Sequence, residues 1–319
     1  MTVVGDFLEF NDACPTSFHT VAAVRDTLVN AGFRVVSESG EWPTGPGKFL
    51  SVRSGSIIAW IEPEDARPSD GFRILGAHTD SPHLRVKQRP DLAGPGTSVL
   101  SLEPYGSPIL STWFDRDLGV AGRLVLDDLS ERLVTIREPI VRVPSLAIHL
   151  DRDKAQPNPQ QHLNGIWAGG TSAFLEFVAE RQSIDATSIL GFELVLFEAA
   201  RATTLGADGS IISAPRLDNL GTVWAAMSAL VNSSGARRSV IAFFDHEEVG
   251  SQSERGAGSP LLTSTLERIV LAAGGDRESL HRALADSLLV SGDMAHGTHP
   301  NFPEKHEPSH HIELGGGPV

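Results

Sequence analysis

The chain has 319 residues, a formal net charge of -14 and one cysteine. Hydrophobic residues make up 40% of it and charged residues 21%, so it can bury a sizeable core, and its length predicts two domains. The negative charge argues against nucleic acid as a partner, because binding a phosphate backbone requires clustered Lys and Arg. The single Cys14 excludes an internal disulfide and suits a reducing compartment. Since the sequence shows neither a signal-peptide layout nor an apolar run of membrane-spanning length, we expect a cytoplasmic protein without a membrane partner.

The first ninety residues predict a helix followed by several strands. The helix runs from a cap at Thr16 or Ser17 to Gly32 and carries apolar residues on one face. Short apolar runs then predict strands at 33–37, 49–52, 57–61 and 72–77.

After Pro90 the sequence changes character, because Pro and Gly separate short β-type runs with little helical periodicity. These runs lie at 99–102, 120–126, 133–136 and 146–150. We interpret residues 91–214 as an inserted β-rich domain. Further strands are predicted at 192–197, 240–244 and 288–290, and helices after Asn219 and near 261–273 and 277–287. The predicted fold class is α/β, with a mixed-sheet α/β/α domain built from residues 1–90 and 215–319 around the insertion.

The most informative string begins where the apolar run 240–244 ends, with Asp245, His246, Glu247 and Glu248. Such a run is typical of a buried strand in a parallel sheet, whose carboxyl end is where open α/β sheets bind ligands. Successive side chains on a strand point to opposite faces, so the chain must turn for both Glu residues to act at one place. One Glu can then bind a metal while the other moves a proton. A solvated acidic turn is the alternative interpretation.

Three further clusters also stand at the ends of predicted elements. They contain His78 with Asp80, Asp218 before a helix, and Asp293 with nearby histidines. Each alone has an ordinary explanation, as a loop hydrogen bond, a helix cap or a turn cap. Together with the string at 245–248 they supply His, Asp and Glu from four places, the ligand types that a carboxylate-rich dinuclear zinc site requires. A carboxylate two residues after His78 can also hold its imidazole in a ligating orientation.

Six strings carry these residues and span nearly the whole chain, at 76–87, 112–118, 143–152, 213–220, 244–251 and 291–296. On these strings the sequence resembles the aspartyl aminopeptidases, the zinc metallopeptidases of family M18. The resemblance implies two zinc ions per subunit. One is bound by His78 and Asp293 and shares Asp218 with the other. Glu248 binds the second ion, and Glu247 is the general base.

The resemblance also assigns residues around the two ions. Asp80 orients His78, and His149 and His296 contact the substrate. His149 lies inside the insertion and is a further candidate metal ligand, or a substrate contact that reaches a neighbouring subunit; a core histidine is the alternative. Since family members assemble through the inserted domain, we expect residues 91–214 to be a dimerisation domain within a homo-oligomer.

Family members continue past the point that matches residue 319 by on the order of a hundred residues. The resemblance places the last zinc-binding His and a substrate-pocket Lys in that part. The second zinc therefore has only Asp218 and Glu248, and nothing in the sequence shows that the later histidines could substitute. We expect an aminopeptidase that removes N-terminal Asp or Glu from peptides, with activity impaired by the missing segment. The alternatives are another dinuclear zinc exopeptidase or deacylase, or an inactive truncated assembly subunit.

From this ligand count we predict weak binding of a second zinc ion and low turnover. Zinc titration combined with turnover of an aspartyl anilide measures both quantities on the same chain. Two tightly held zinc ions together with full turnover would contradict the prediction.

Overall fold

The computed structural model describes residues 2–150, 152 and 156–319. The helices it contains are α1 (Val3–Ala13), α2 (Ser17–Asn30), α3 (Phe174–Gln182), α4 (Leu217–Val231), α5 (Leu261–Ala272) and α6 (Arg277–Ala285). The strands are β1 (Arg34–Val35), β2 (Gly47–Arg53), β3 (Ser56–Glu62), β4 (Arg73–His78), β5 (His83–Gly94), β6 (Thr97–Tyr105), β7 (Leu118–Leu126), β8 (Glu131–Val141), β9 (Gly165–Ala168), β10 (Ile189–Glu198), β11 (Thr203–Leu205), β12 (Ile211–Ser213), β13 (Ser239–Phe244) and β14 (Leu288–Ser291). Within the described part of the chain, no helix combines the length and apolar character needed to cross a bilayer.

The first sheet is mixed and has the strand order β1-β2-β3-β13-β4-β14. Strand β13 runs antiparallel to β3 and parallel to β4, and β14 also runs parallel to β4. The register pairs Phe244 with His78 and Ser291 with Gly76. Three parallel strands therefore end at the same edge of this sheet.

Helices cover both faces of the first sheet, as the alternation of side chains along β3 shows. Ile57 and Ile61 pack in the core that includes α2 and α4, whereas Ile58 and Trp60 pack in the core that includes α5 and α6. All of β3 is buried because each face of the strand lies against a helical layer. The predicted α/β/α fold is confirmed.

The second sheet is antiparallel and has the order β8-β7-β10-β5-β6-β9. It has its own buried core, to which α3 contributes Phe174 and Val178. Strand β5 begins at His83, so the sheet starts before the predicted boundary at residue 91. The assignment of 91–214 as a dimerisation domain stays a prediction.

The predicted strand at 146–150 is wrong. The chain is irregular there and turns at 148–150, and the side chains of Leu146, Ile148 and Leu150 are exposed. An apolar run shows only that burial would be favourable. Whether a neighbouring strand is present to pair with it depends on the rest of the fold.

Helix α2 begins and ends as its sequence predicts. The hydroxyl of Thr16 accepts a hydrogen bond from the backbone N–H of His19, which caps the first turn. At the other end Gly32 has φ +89°, a left-handed conformation that glycine adopts without strain.

His19 also joins α2 to the second sheet. Its Nδ1 lies 2.8 Å from Thr16 Oγ1 and its Nε2 lies 2.9 Å from Thr135 Oγ1 on β8. Burial, helped by the positive charge of Arg216, lowers the pKa of His19 to about 4. The folded protein therefore holds a neutral imidazole at this junction.

We predict that this imidazole makes the protein less stable in mild acid. An unfolded His has a pKa of about 6.5. Between this pH and about pH 4, the histidine is protonated in the unfolded chain but stays neutral in the folded chain, so protonation favours unfolding. The stabilising contribution is complete above the unfolded pKa. It decreases through this window, by about 2 kcal/mol between about pH 7.5 and pH 5.

Urea unfolding of His19→Gln at both pH values measures this contribution. The variant should lose less stability on acidification than the wild type does. His281→Gln, on the exposed face of α6, is the matched control and should follow the wild type. An equal pH dependence for His19→Gln and the wild type would contradict the assignment.

Candidate metal centre

The ends of the three parallel strands carry most of the predicted ligands. His78 is the last residue of β4, the Glu pair follows β13, and Asp293 follows β14. Asp218 lies at the start of α4, directly after Leu217. Asn219 ties this helix start to the sheet, because its side-chain amide donates to the carbonyl of Gly292 at 2.8 Å.

The chain turns after β13, as the adjacent Glu residues require. His246 has φ 64°, and residues Glu247–Val249 form a short 3-10 helix. Glu247 is exposed and Glu248 is half-buried. The carboxylate of Asp80 accepts hydrogen bonds from the backbone N–H groups of Glu247 at 3.1 Å and Glu248 at 3.2 Å. Asp80 therefore anchors the turn that presents both side chains.

His78 is buried, and its two ring nitrogens face different partners. Nδ1 lies 3.0 Å from the backbone oxygen of Asp80 and 3.5 Å from its Oδ1. Nε2 lies 3.0 Å from Asp218 Oδ1 and 3.8 Å from Asp293 Oδ1. Such a contact at Nδ1 fixes the ring so that Nε2 points at the two carboxylates.

The pKa values at the site reflect crowded negative charge. Burial lowers the pKa of His78, but the hydrogen bond and charge of Asp80 and the charges of Asp218 and Asp293 raise it to about 9. Burial, together with the negative charges of Asp80 and Asp218, raises the pKa of Glu248 to about 7. Burial and the nearby Asp293 likewise raise the pKa of Asp218. A bound cation would relieve this repulsion.

The donor atoms lie close enough to share ions. His78, Asp218 and Asp293 offer ligand atoms within 4.8 Å of one another, and so do His78, Glu247 and Glu248. One imidazole and several carboxylates form a donor set that zinc accepts. The residues present therefore fit zinc, and the two groups meet at His78.

Two of the predicted residues lie elsewhere. His149 is exposed in the turn at 148–150, which is not the environment of a core histidine. His296 is exposed in the irregular segment that follows β14. Neither belongs to the two groups of ligand atoms found among the described residues.

The structure adds residues that the sequence did not point to. Tyr105, at the end of β6, donates its hydroxyl to Asp80 Oδ2 at 2.6 Å. Arg255 places its Nε 3.0 Å from Asp245 Oδ2, and its Nη2 lies 3.0 Å from His246 Nε2. A side chain at Gly55 would collide with this layer, because its Cβ would lie 2.1 Å from Asp245 Oδ2. The buried ion pair of Arg255 and Asp245 thus supports the turn that carries Glu247 and Glu248, which Arg255 contacts at His246.

A cavity of about 320 Å³ lies between the two sheets beside these residues. Asp80 and Asp218 line it from the metal side, and Tyr105 and Arg85 line it from the second sheet. Its volume is in the range of small-molecule binding sites.

Comparison with known proteins yields one family. The family model described as "Aminopeptidase I zinc metalloprotease (M18)" matches residues 10–319. A "Probable M18 family aminopeptidase 2" of Mycobacterium leprae is 49% identical over 325 residues, and the match covers 98% of this chain and 76% of that protein.

Solved structures agree with this match. Ape4, in a cryo-EM structure of the Ape4 and Nbr1 complex, superposes with a TM-score of 0.92 at 33% identity, over 97% of this chain and 66% of that one. The chain thus spans slightly less than two thirds of the Ape4 chain. The S. cerevisiae mApe1 dodecamer gives a TM-score of 0.86 at 27% identity, over 98% of this chain and 76% of that one.

Proposed function

This chain belongs to the M18 family of zinc metalloproteases, which are hydrolases of peptide bonds, and we propose that it is an aminopeptidase removing N-terminal Asp or Glu from peptides. The observation that carries the proposal is the convergence of Asp218, Asp293, Glu247 and Glu248 around the buried His78. Side chains that are distant in sequence lie close together there, and their nitrogen and oxygen atoms are ligands that zinc accepts.

In this proposal His78, Asp218 and Asp293 would hold one zinc ion, and Asp218 and Glu248 would hold a second. When bound there, zinc would supply Lewis acidity towards a peptide carbonyl and would lower the pKa of a water molecule at the site. Asp80 keeps the imidazole of His78 in the ligating orientation through its contacts at Nδ1.

Glu247 is proposed as the general base. Its side chain is exposed, so solvent and substrate can reach its carboxylate, while its backbone N–H is fixed to Asp80. The carboxylate takes the proton of the attacking water and passes it to the leaving amine. A carboxylate is suited to both transfers because it can accept a proton and release it again in one catalytic cycle.

The proposed preference for acidic N-termini is supported by the resemblance of the six strings. The net charge of -14 repels acidic peptides at long range, so the preference requires local groups that favour a carboxylate. We assign His149 and His296 to substrate binding, because both imidazoles are exposed and free to contact a peptide.

We also propose a homo-oligomer, in line with the dodecamer formed by the yeast mApe1. The second sheet is the proposed interface. His149 lies on an exposed turn of the predicted inserted domain, where it is accessible to a neighbouring subunit. In such an assembly it would contribute a substrate contact to the site of that neighbour.

We predict that Glu247→Gln separates metal binding from hydrolysis. The amide cannot accept the proton, so kcat should fall by about 10²- to 10⁴-fold, while zinc affinity stays close to that of the wild type. Glu278→Gln on the exposed face of α6 is the control and should keep the turnover of the wild type. Unchanged turnover in Glu247→Gln would remove this residue from the proposed chemistry.

Substrate specificity requires its own measurement. We predict that anilides of Asp and Glu are cleaved at least about tenfold faster than those of Leu, Ala or Arg, as kcat/KM. An N-acetylated aspartyl anilide should be resistant, because an aminopeptidase requires a free amine. Faster cleavage of neutral anilides would contradict the acidic preference. Hydrolysis of the N-acetylated compound would instead favour another dinuclear zinc exopeptidase or a deacylase.

A further inference from the structure

We propose that Tyr105 is a positioning residue for the metal centre and acts through Asp80. The hydroxyl of this second-sheet residue fixes the carboxylate that both orients His78 and anchors the turn carrying Glu247 and Glu248. The inference deepens the proposed function and rests on zinc binding at His78.

The contact between Tyr105 and Asp80 is short and shielded from water. The hydroxyl donates to Asp80 Oδ2 at 2.6 Å, and the two residues are 7% and 4% exposed. Burying a carboxylate is unfavourable unless hydrogen bonds replace its hydration. The tyrosine hydroxyl supplies one of these bonds and restricts rotation of the carboxylate.

The other contacts of Asp80 lead directly to the proposed ligands. Oδ1 lies 3.5 Å from His78 Nδ1 and accepts from the backbone N–H of Glu247. Oδ2, which accepts from Tyr105, also accepts from the backbone N–H of Glu248. A rotation of this carboxylate would therefore disturb the imidazole and the Glu pair at once.

The ring of Tyr105 is held independently of its hydroxyl. It stacks on His83, with the centroids 4.5 Å apart and the planes 5° apart. The guanidinium carbon of Arg85 lies 5.0 Å from the ring centroid on the same pair of strands. Since β5 and β6 pair His83 with Tyr105, the second sheet itself sets the position of the donor.

Because these contacts involve only the ring, Tyr105→Phe tests the inference directly. It removes the hydroxyl that donates to Asp80 while the ring remains in place. Ser98→Ala is the matched control. Ser98 lies on the same strand, is 6% exposed, and donates its hydroxyl to the carbonyl of Gly170 at 2.6 Å. The Ser98→Ala variant thus loses an equally short, partly buried bond at the opposite end of β6.

The affinity for zinc is measured in the full chain by competition with a chromophoric chelator. Tyr105→Phe should raise the Kd for zinc by about 10- to 100-fold, the range seen when groups that support metal ligands are lost. Ser98→Ala should leave the Kd unchanged. An unchanged Kd in Tyr105→Phe would overturn the inference while leaving the proposed function intact. Absence of zinc binding by the wild type would instead overturn the proposed function.

A second measurement needs no substitution, because Tyr105 is the only tyrosine in the chain. Biosynthetic incorporation of 3-fluorotyrosine therefore gives a ¹⁹F resonance that comes from this ring alone. Zinc titration should shift that resonance and saturate with the Kd found by competition. A resonance that stays in place while zinc binds would show that Tyr105 does not act on the metal centre.

Discussion

The parallel pairing of β4 with β13 and β14 is the constraint on which the site depends. It brings three strand ends to one edge and holds carboxylates near one another although their charges repel. Burial, together with the nearby carboxylates, raises the pKa values of Asp218 and Glu248. The packed helical layers on both faces of the sheet keep the register fixed, so the donor atoms remain together.

Beneath the proposed ligands lies a layer of buried charged groups that sets their orientation. Asp80 receives hydrogen bonds from the turn after β13, and Asp245 lies 3.0 Å from Arg255 under the same turn. Gly55 leaves the room that Asp245 needs. A metal site requires such a layer because ligands that can rotate freely bind an ion less tightly.

The second sheet takes part in this arrangement. Tyr105 reaches Asp80, and Glu193 on β10 lies 3.5 Å from the Arg255 that supports the turn. His19 joins α2 to β8 at another point of the same junction. The second sheet, most of which lies in the predicted insertion, thus contributes polar contacts to the centre built on the first sheet. Because the contact of Tyr105 with Asp80 is buried, movement between the sheets would affect the orientation of the ligands.

The sequence by itself determined the fold class, because short apolar runs predict strands, and a zinc site, because the ligand types at the strand ends are chemically restrictive. It determined the family only through the resemblance of its six strings. It also predicted the turn at Glu247, since adjacent side chains on a strand diverge. Only the tertiary structure decided that β13 lies between β3 and β4, that residues 146–150 form no strand, and that Tyr105 reaches Asp80. These features depend on contacts between segments that are distant along the chain. The local hydrophobic pattern of a segment does not specify which other segment it will contact.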